Sequence, residues 1–242
     1  MTTETVILVH GLWVHGLVME LMRRRVARGG YRALTYSYPS MRLTLAENAE
    51  RLERYCRRLA AQRVHFVGHS LGGLVVLRML ERAPGLTPGR VVLTGTPYGG
   101  SFAGRRLARL PGGRTALGRS MRLWLNPMHQ PPAIARDIGV IAGSVPLGIG
   151  RVIAPDLPAP SDGVISVEET RVPGMRDHIV LDVNHSGMLV SSAVARQICC
   201  FLHDGKFEHR DERQDKHQML STKLQTSTKS QALSTKRLKF GI

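Results

Sequence analysis

The chain has 242 residues, 43% of them hydrophobic, and a formal net charge of +16. That length suits one domain with a sizeable buried core, and no apolar run approaches the ~18–20 residues of a membrane span, which excludes an integral membrane segment. Taken alone, the charge points to nucleic acid or a membrane surface, so its distribution decides what it means.

Residues 1–203 hold 25 arginines and no lysine against 13 acids, whereas residues 204–242 hold all six lysines. After Asp215 no acid follows, and Ser-Thr-Lys recurs at 221–223, 227–229 and 234–236. A segment with almost no apolar periodicity cannot offset its ordering entropy. Residues 204–242 are therefore expected to be a disordered basic tail on a folded domain of 1–203. The arginines of that domain are spread among helical patterns, as Arg23-Arg24-Arg25 and Arg57-Arg58 show, without interleaved aromatics. Such charges commonly form solvated helix faces, so nucleic acid is not the expected partner.

In chain order, Met1–Glu4 carries no basic region and leads directly into an apolar run at about 4–9, a strand rather than a secretory signal. A helix follows at about 15–28, stopped by Gly29-Gly30. A weaker strand pattern covers 32–37. The clearest helix spans roughly 44–61: Thr44 with Glu47 makes a capping box, and Leu45, Ala49, Leu52, Cys56 and Leu59 form one stripe. Further strands are expected at 63–67, 90–95, 138–143 and 178–183, with a last helix from the N-cap Ser191 to Leu202. Most of the strands lack strict alternation, as expected when both faces are covered. Strands alternating with helices predict an α/β fold with a parallel sheet of about six strands and right-handed crossovers. Residues 98–136 and 144–161 break the rhythm with Gly-Gly pairs and prolines. Long loops of this kind are often lids or binding walls, and 98–136 is expected to form a cap.

Gly68-His69-Ser70-Leu71-Gly72 matches the G-x-S-x-G pattern of a nucleophile elbow. The pattern needs a strand before it and a helix after it. Val64-His65-Phe66-Val67 and Leu74-Val75-Val76-Leu77-Arg78-Met79-Leu80 supply them. A serine hydroxyl is a poor nucleophile until a base takes its proton, and that base needs an orienting acid. His185 follows the strand at 178–183 and so lies at the same carboxyl edge of the sheet as Ser70. His65 and His69 look structural, while His178 starts a strand at the opposite edge. The acid is narrowed by absence, since no Asp or Glu occurs between Glu81 and Asp137. Asp156 and Asp162 both follow the fifth strand. Asp162 is preferred because Gly163 allows a tight turn that can aim a carboxylate, and Asp182 is expected inside the last strand. The backbone N–H of Leu71 supplies one oxyanion donor. The turn Val9-His10-Gly11-Leu12-Trp13 is expected to supply another through Leu12.

These motifs resemble the α/β-hydrolase superfamily, and more narrowly its small bacterial lipase/esterase-like members and related deacylases. The resemblance rests on Val9-His10-Gly11, Gly68-His69-Ser70-Leu71-Gly72-Gly73, Gly95-Thr96-Pro97-Tyr98-Gly99-Gly100-Ser101, Asp162-Gly163-Val164 and a late histidine, and it covers about residues 4–203. It implies a triad in the order Ser70, Asp162, His185. One strand precedes His10-Gly11, where larger relatives carry two more. The implied activity is cleavage of a small-molecule or lipid ester through an acyl-enzyme, with no metal or organic cofactor. An acyltransferase with the same triad and a basic nucleic-acid- or membrane-surface-binding module are the alternatives. Leu12, Trp13 and the stretch Met121–Met128, with Trp124, offer an apolar acyl pocket, with ordinary core packing as the competing reading. The three cysteines (Cys56, Cys199 and Cys200) are odd in number and lack metal-ligand spacing, which predicts reduced thiols in a cytoplasmic protein.

Overall fold

A computed structural model describes residues 4–59, 61–86, 89–121, 125 and 134–209. Six strands form one sheet: β1 (Thr5–Val9), β2 (Arg32–Tyr36), β3 (Val64–His69), β4 (Val91–Thr94), β5 (Ile138–Gly143) and β6 (Asp177–Leu181). Their order across the sheet is β2-β1-β3-β4-β5-β6, and every neighbouring pair is parallel.

Alternation along each strand sends successive side chains to opposite faces, and here both faces are covered. Ile7 and Val9 of β1 pack into one core with Phe66, Leu93 and Val140. Val6 and Leu8 pack into the other with Val67, Val92 and Ile141. That is why these strands read as continuous apolar runs. Helices α2 (Leu45–Arg57) and α3 (Leu71–Arg82) cover the first face, through Leu52 and Leu74 among others. Helices α1 (Glu20–Arg28) and α7 (Ser192–Asp204) cover the second, through Met22, Val26, Ile198 and Phe201. The expected capping box is formed: Thr44 Oγ1 accepts from the N–H of Glu47, and the Glu47 carboxylate accepts from the N–H of Thr44.

Between β4 and β5 the chain leaves the sheet to form α4 (Phe102–Ala108) and α5 (Gly113–Met121), the latter kinked at Gly118. After β5 a short helix α6 (Ile149–Ile153) precedes the loop carrying Asp162. Three sequence expectations need correction. Residues 15–19 do not begin α1; Gly16–Met19 is a separate 3-10 turn capped without a side chain. Strand β6 ends at Leu181, so Asp182 lies beyond it, where its carboxylate accepts from Ser144 Oγ. The folded unit also runs past 203, because α7 continues to Asp204 and Gly205 ends it in the left-handed region. Phe207 is then buried against Phe201, with ring centroids 4.9 Å apart. An aromatic side chain adds enough buried apolar area to hold those few residues in place. Residues 210–242, most of the expected tail, lie outside the described residues.

Candidate active site

The connection from β1 to β2 runs to one side of the sheet and the connections from β3 onward run to the other. Ligands in open α/β sheets bind at such a switch point, outside the carboxyl ends of the strands. Here the loops after β1 and β3 flank it.

Ser70 occupies the sharp turn between β3 and α3 with φ 52° and ψ −127°. A non-glycine residue there is strained by roughly 1–3 kcal/mol and persists only because its surroundings over-determine it. The neighbours supply that constraint. A Cβ on Gly68 would sit 2.4 Å from the Cα of Gly73, so the strand can turn into the helix only with glycines in place. Ser70 Oγ makes no hydrogen bond among the described residues and faces a cavity of about 300 Å³.

His185 lines the same cavity from the loop after β6. Its Nδ1 is 2.6 Å from Asp162 Oδ2, and its backbone N–H donates to the Asp162 carbonyl at 2.9 Å. Asp162 is 1% exposed. Its other oxygen, Oδ1, accepts from the N–H groups of Val164 (2.9 Å) and Ile165 (2.7 Å). The Asp162-Gly163 turn thus aims one carboxylate oxygen at its own backbone and the other at the imidazole. Asp156, the alternative acid, is an exposed residue paired with Arg106 and is not brought to His185. His69 packs against His185 with ring centroids 4.7 Å apart and tilted by 44°, and its Nδ1 lies 3.2 Å from Thr94 Oγ1. Burial, reinforced by the nearby His185, holds His69 well below the usual histidine range, so its ring is a neutral packing surface.

Leu12, Trp13 and Leu71 also line the cavity. Trp13 has φ 62° and anchors its indole by donating from Nε1 to the carbonyl of Ala116 at 2.6 Å, tying the loop after β1 to α5. His10 is buried behind that loop, stacked on Tyr38 and accepting from its N–H at 3.2 Å. The far wall is apolar, from Leu107 of α4, Leu117 and Met121 of α5, and Ile149 and Ile153 of α6. Of the expected pocket stretch, Met121 is on that wall and Leu125 contributes a carbonyl to Ser101 and Arg105. Trp124 lies outside the described residues. Among the described residues no group of three His, Cys, Asp or Glu side chains converges to hold a metal ion.

Two contributors were not readable as site residues. Gly95, at the end of β4, has φ 57°, and a Cβ there would lie 3.0 Å from both Asp162 Oδ2 and His185 Nδ1. The Gly95-Thr96-Pro97 run was visible, but nothing local says what its first residue must leave room for. Glu169 is the other. Its carboxylate accepts from the N–H of Phe102 at the start of α4 and from the N–H and Oγ of Ser166, beside the Asp162 turn.

A parallel sheet with helices on both faces and a strained serine at the switch point defines an α/β-hydrolase fold. Residues 6–197 match the model of the alpha/beta hydrolase family. The chain belongs to that family. Comparison with curated proteins gives no significant match. Among solved structures, the mature Bacillus licheniformis lipase BlEst2 is similar, with TM-score 0.69 at 16% identity over 83% of this chain and 91% of that one. The metagenomic carboxyl esterase MGS0156 gives TM-score 0.59 at 22% identity over 76% of this chain and 65% of that one. A monoacylglycerol lipase of Paleococcus ferrophilus gives TM-score 0.55 at 17% identity over 84% and 96%. At these identities the likeness concerns the fold.

Proposed function

We propose that this chain is a serine hydrolase that cleaves a carboxylic ester through an acyl-enzyme. One observation carries the reading: a strained, unpartnered Ser70 hydroxyl faces the same cavity as His185, whose other nitrogen is bound at 2.6 Å to the buried Asp162. Ser70 Oγ attacks the ester carbonyl carbon as His185 Nε2 takes its proton. Asp162 keeps the remaining N–H on Nδ1 and stabilises the imidazolium. The negative charge that develops on the carbonyl oxygen is met by the N–H groups of Leu71 and Leu12. Collapse breaks the bond to the alcohol, which leaves with the proton from His185. Water, deprotonated by the same ring, then releases the acid and restores Ser70. Ser70 Oγ and His185 Nε2 come into hydrogen-bond reach when substrate fills the cavity, as catalytic hydrogen bonds are commonly long or poorly aligned without it. The apolar far wall suits an acyl chain, and the ester lipases and esterases among the similar structures agree with that choice.

The test is labelling by a fluorophosphonate, which requires an activated serine, alongside hydrolysis of chromogenic esters of graded chain length. Ser70→Ala is expected to fold normally, escape labelling and lose about 10⁴–10⁶ of kcat. A purified mutant that keeps more than about a tenth of wild-type turnover overturns the assignment.

A further inference from the structure

The described residues include ten exposed large hydrophobic side chains, and eight of them lie on segments that line or flank one cavity. They form two lips. The first comprises Trp13 and Val14 after β1, then Leu17, 78% exposed, and Leu21. The second is the α6 segment, with Leu147 (68%), Ile149 and Val152 (80%). Val190, beside the cavity-lining Leu189, extends the first lip: Arg25, one turn beyond Leu21 on α1, hydrogen-bonds its carbonyl. Exposed apolar side chains gathered at one place mark an interaction surface, whereas single ones need no explanation.

The charge around this surface is predominantly basic: its acids, Glu20 on α1 and Asp156 after α6, are paired with Arg23 and Arg24 and with Arg106. Between Glu81 and Asp137 there is no acid, and the segment carrying α4 and α5 holds Arg105, Arg106, Arg109, Arg114 and Arg119. Arg109 and Arg119 are exposed, and so is Arg151, between Ile149 and Val152 of α6. The acid-free run noted in the sequence narrows the choice of catalytic acid, but that role does not account for its arginines.

We propose that this face docks on an anionic lipid surface, with the apolar lips seated among the acyl chains and the arginines on the headgroups. The inference rests on the hydrolase reading above and adds the place where that enzyme meets its substrate: an ester chain leaving the lipid enters the cavity between the lips. Insertion of amphipathic segments combines buried apolar area with attraction of basic residues to anionic headgroups. A second copy of the chain fits the same face poorly. An isologous contact would set the acid-free, arginine-bearing cap against itself.

Co-sedimentation of full-length Ser70→Ala with vesicles tests this without any turnover. Vesicles of phosphatidylcholine alone are compared with vesicles also containing phosphatidylglycerol. The protein is expected to sediment with the second kind and to be released as salt is raised. In the same background, Leu147→Asp with Val152→Asp is expected to weaken binding by about tenfold or more through lost apolar insertion. Arg109→Glu with Arg119→Glu is expected to weaken it comparably through charge reversal. In the otherwise wild-type enzyme, the Leu147/Val152 pair should leave hydrolysis of a water-soluble short-chain ester, and the melting temperature, unchanged. Absence of binding to either vesicle overturns the proposal. So does anionic binding that survives the Leu147/Val152 substitutions, which would assign it to the lysine-bearing C-terminal segment. A dimer in solution that those substitutions dissociate, with no vesicle binding, would give the face to a second copy. If wild type fails to hydrolyse esters yet sediments as expected, the docking surface stands and the hydrolase reading falls.

Discussion

At the residue scale, the geometry around Asp162 distinguishes two acids that were both open candidates. Asn at 162 keeps an acceptor for the N–H groups of Val164 and Ile165 but turns an NH₂ group towards His185 Nδ1. The ring is then driven into the tautomer that leaves no free acceptor for the Ser70 proton. Asp162→Asn is expected to lose about 10⁴ in kcat, and Asp156→Asn to stay near wild type because its carboxylate serves a surface pair with Arg106. Steady-state kinetics of both mutants side by side decide it, and a dead Asp156→Asn would transfer the role. Gly95 makes a subtler demand. A methyl group there would press on both members of the Asp162–His185 pair at 3.0 Å, in a backbone conformation that alanine resists. Gly95→Ala is expected to lower kcat by up to about 10²-fold with little change in KM, since a small displacement of reacting groups costs that much. Unchanged kcat would mean that the pair shifts without losing alignment.

At the scale of elements, one buried side chain joins two that are far apart in sequence. Glu169, in the 3-10 turn Glu168–Thr170, holds the first N–H of α4 with Oε1 and both polar groups of Ser166 with Oε2. Its own carbonyl accepts from Gly99 at 2.8 Å. The cavity wall and the Asp162 turn are thereby referenced to each other. Glu169→Ala strands two buried donors of Ser166, each costing about 1–3 kcal/mol when unsatisfied, and the part-buried N–H of Phe102, whereas Glu169→Gln keeps an acceptor and costs less. Urea unfolding is the measurement. Equal midpoints for wild type and Glu169→Ala would show that water replaces the carboxylate.

For the whole molecule, three buried imidazoles set a dependence of stability on pH. Burial lowers His10, His65 and His69 from the ordinary value of 6.5, most strongly for His69. In the unfolded chain each takes a proton as pH falls below about 6.5, while the folded form resists it until its own lowered value is reached. The unfolded state therefore binds more protons in that window. Stability is full above about 6.5 and declines as pH falls below it. The urea midpoint is expected to be lower near pH ~5 than near pH ~7.5, and a midpoint that does not move would contradict the account. His69→Gln, which removes the most strongly lowered of the three, should flatten the slope.

The sequence by itself determined the order of strands and helices, the capping box at Thr44-Glu47 and the elbow at Ser70. Each is written in residues a few positions apart, where periodicity and local backbone preference act directly. It also narrowed the candidate acids for His185 to the segment after β5, because no carboxylate occurs between Glu81 and Asp137. Only the tertiary structure decided that Asp162 and not Asp156 meets His185, that Gly95 leaves room for the pair, and that Glu169 braces the wall. It likewise decided that the folded unit extends beyond 203 to take in Phe207. These facts depend on how loops from β1, β3, β4, β5 and β6 converge at one sheet edge. That convergence is set by strand order, register and crossovers, which no short stretch of sequence contains.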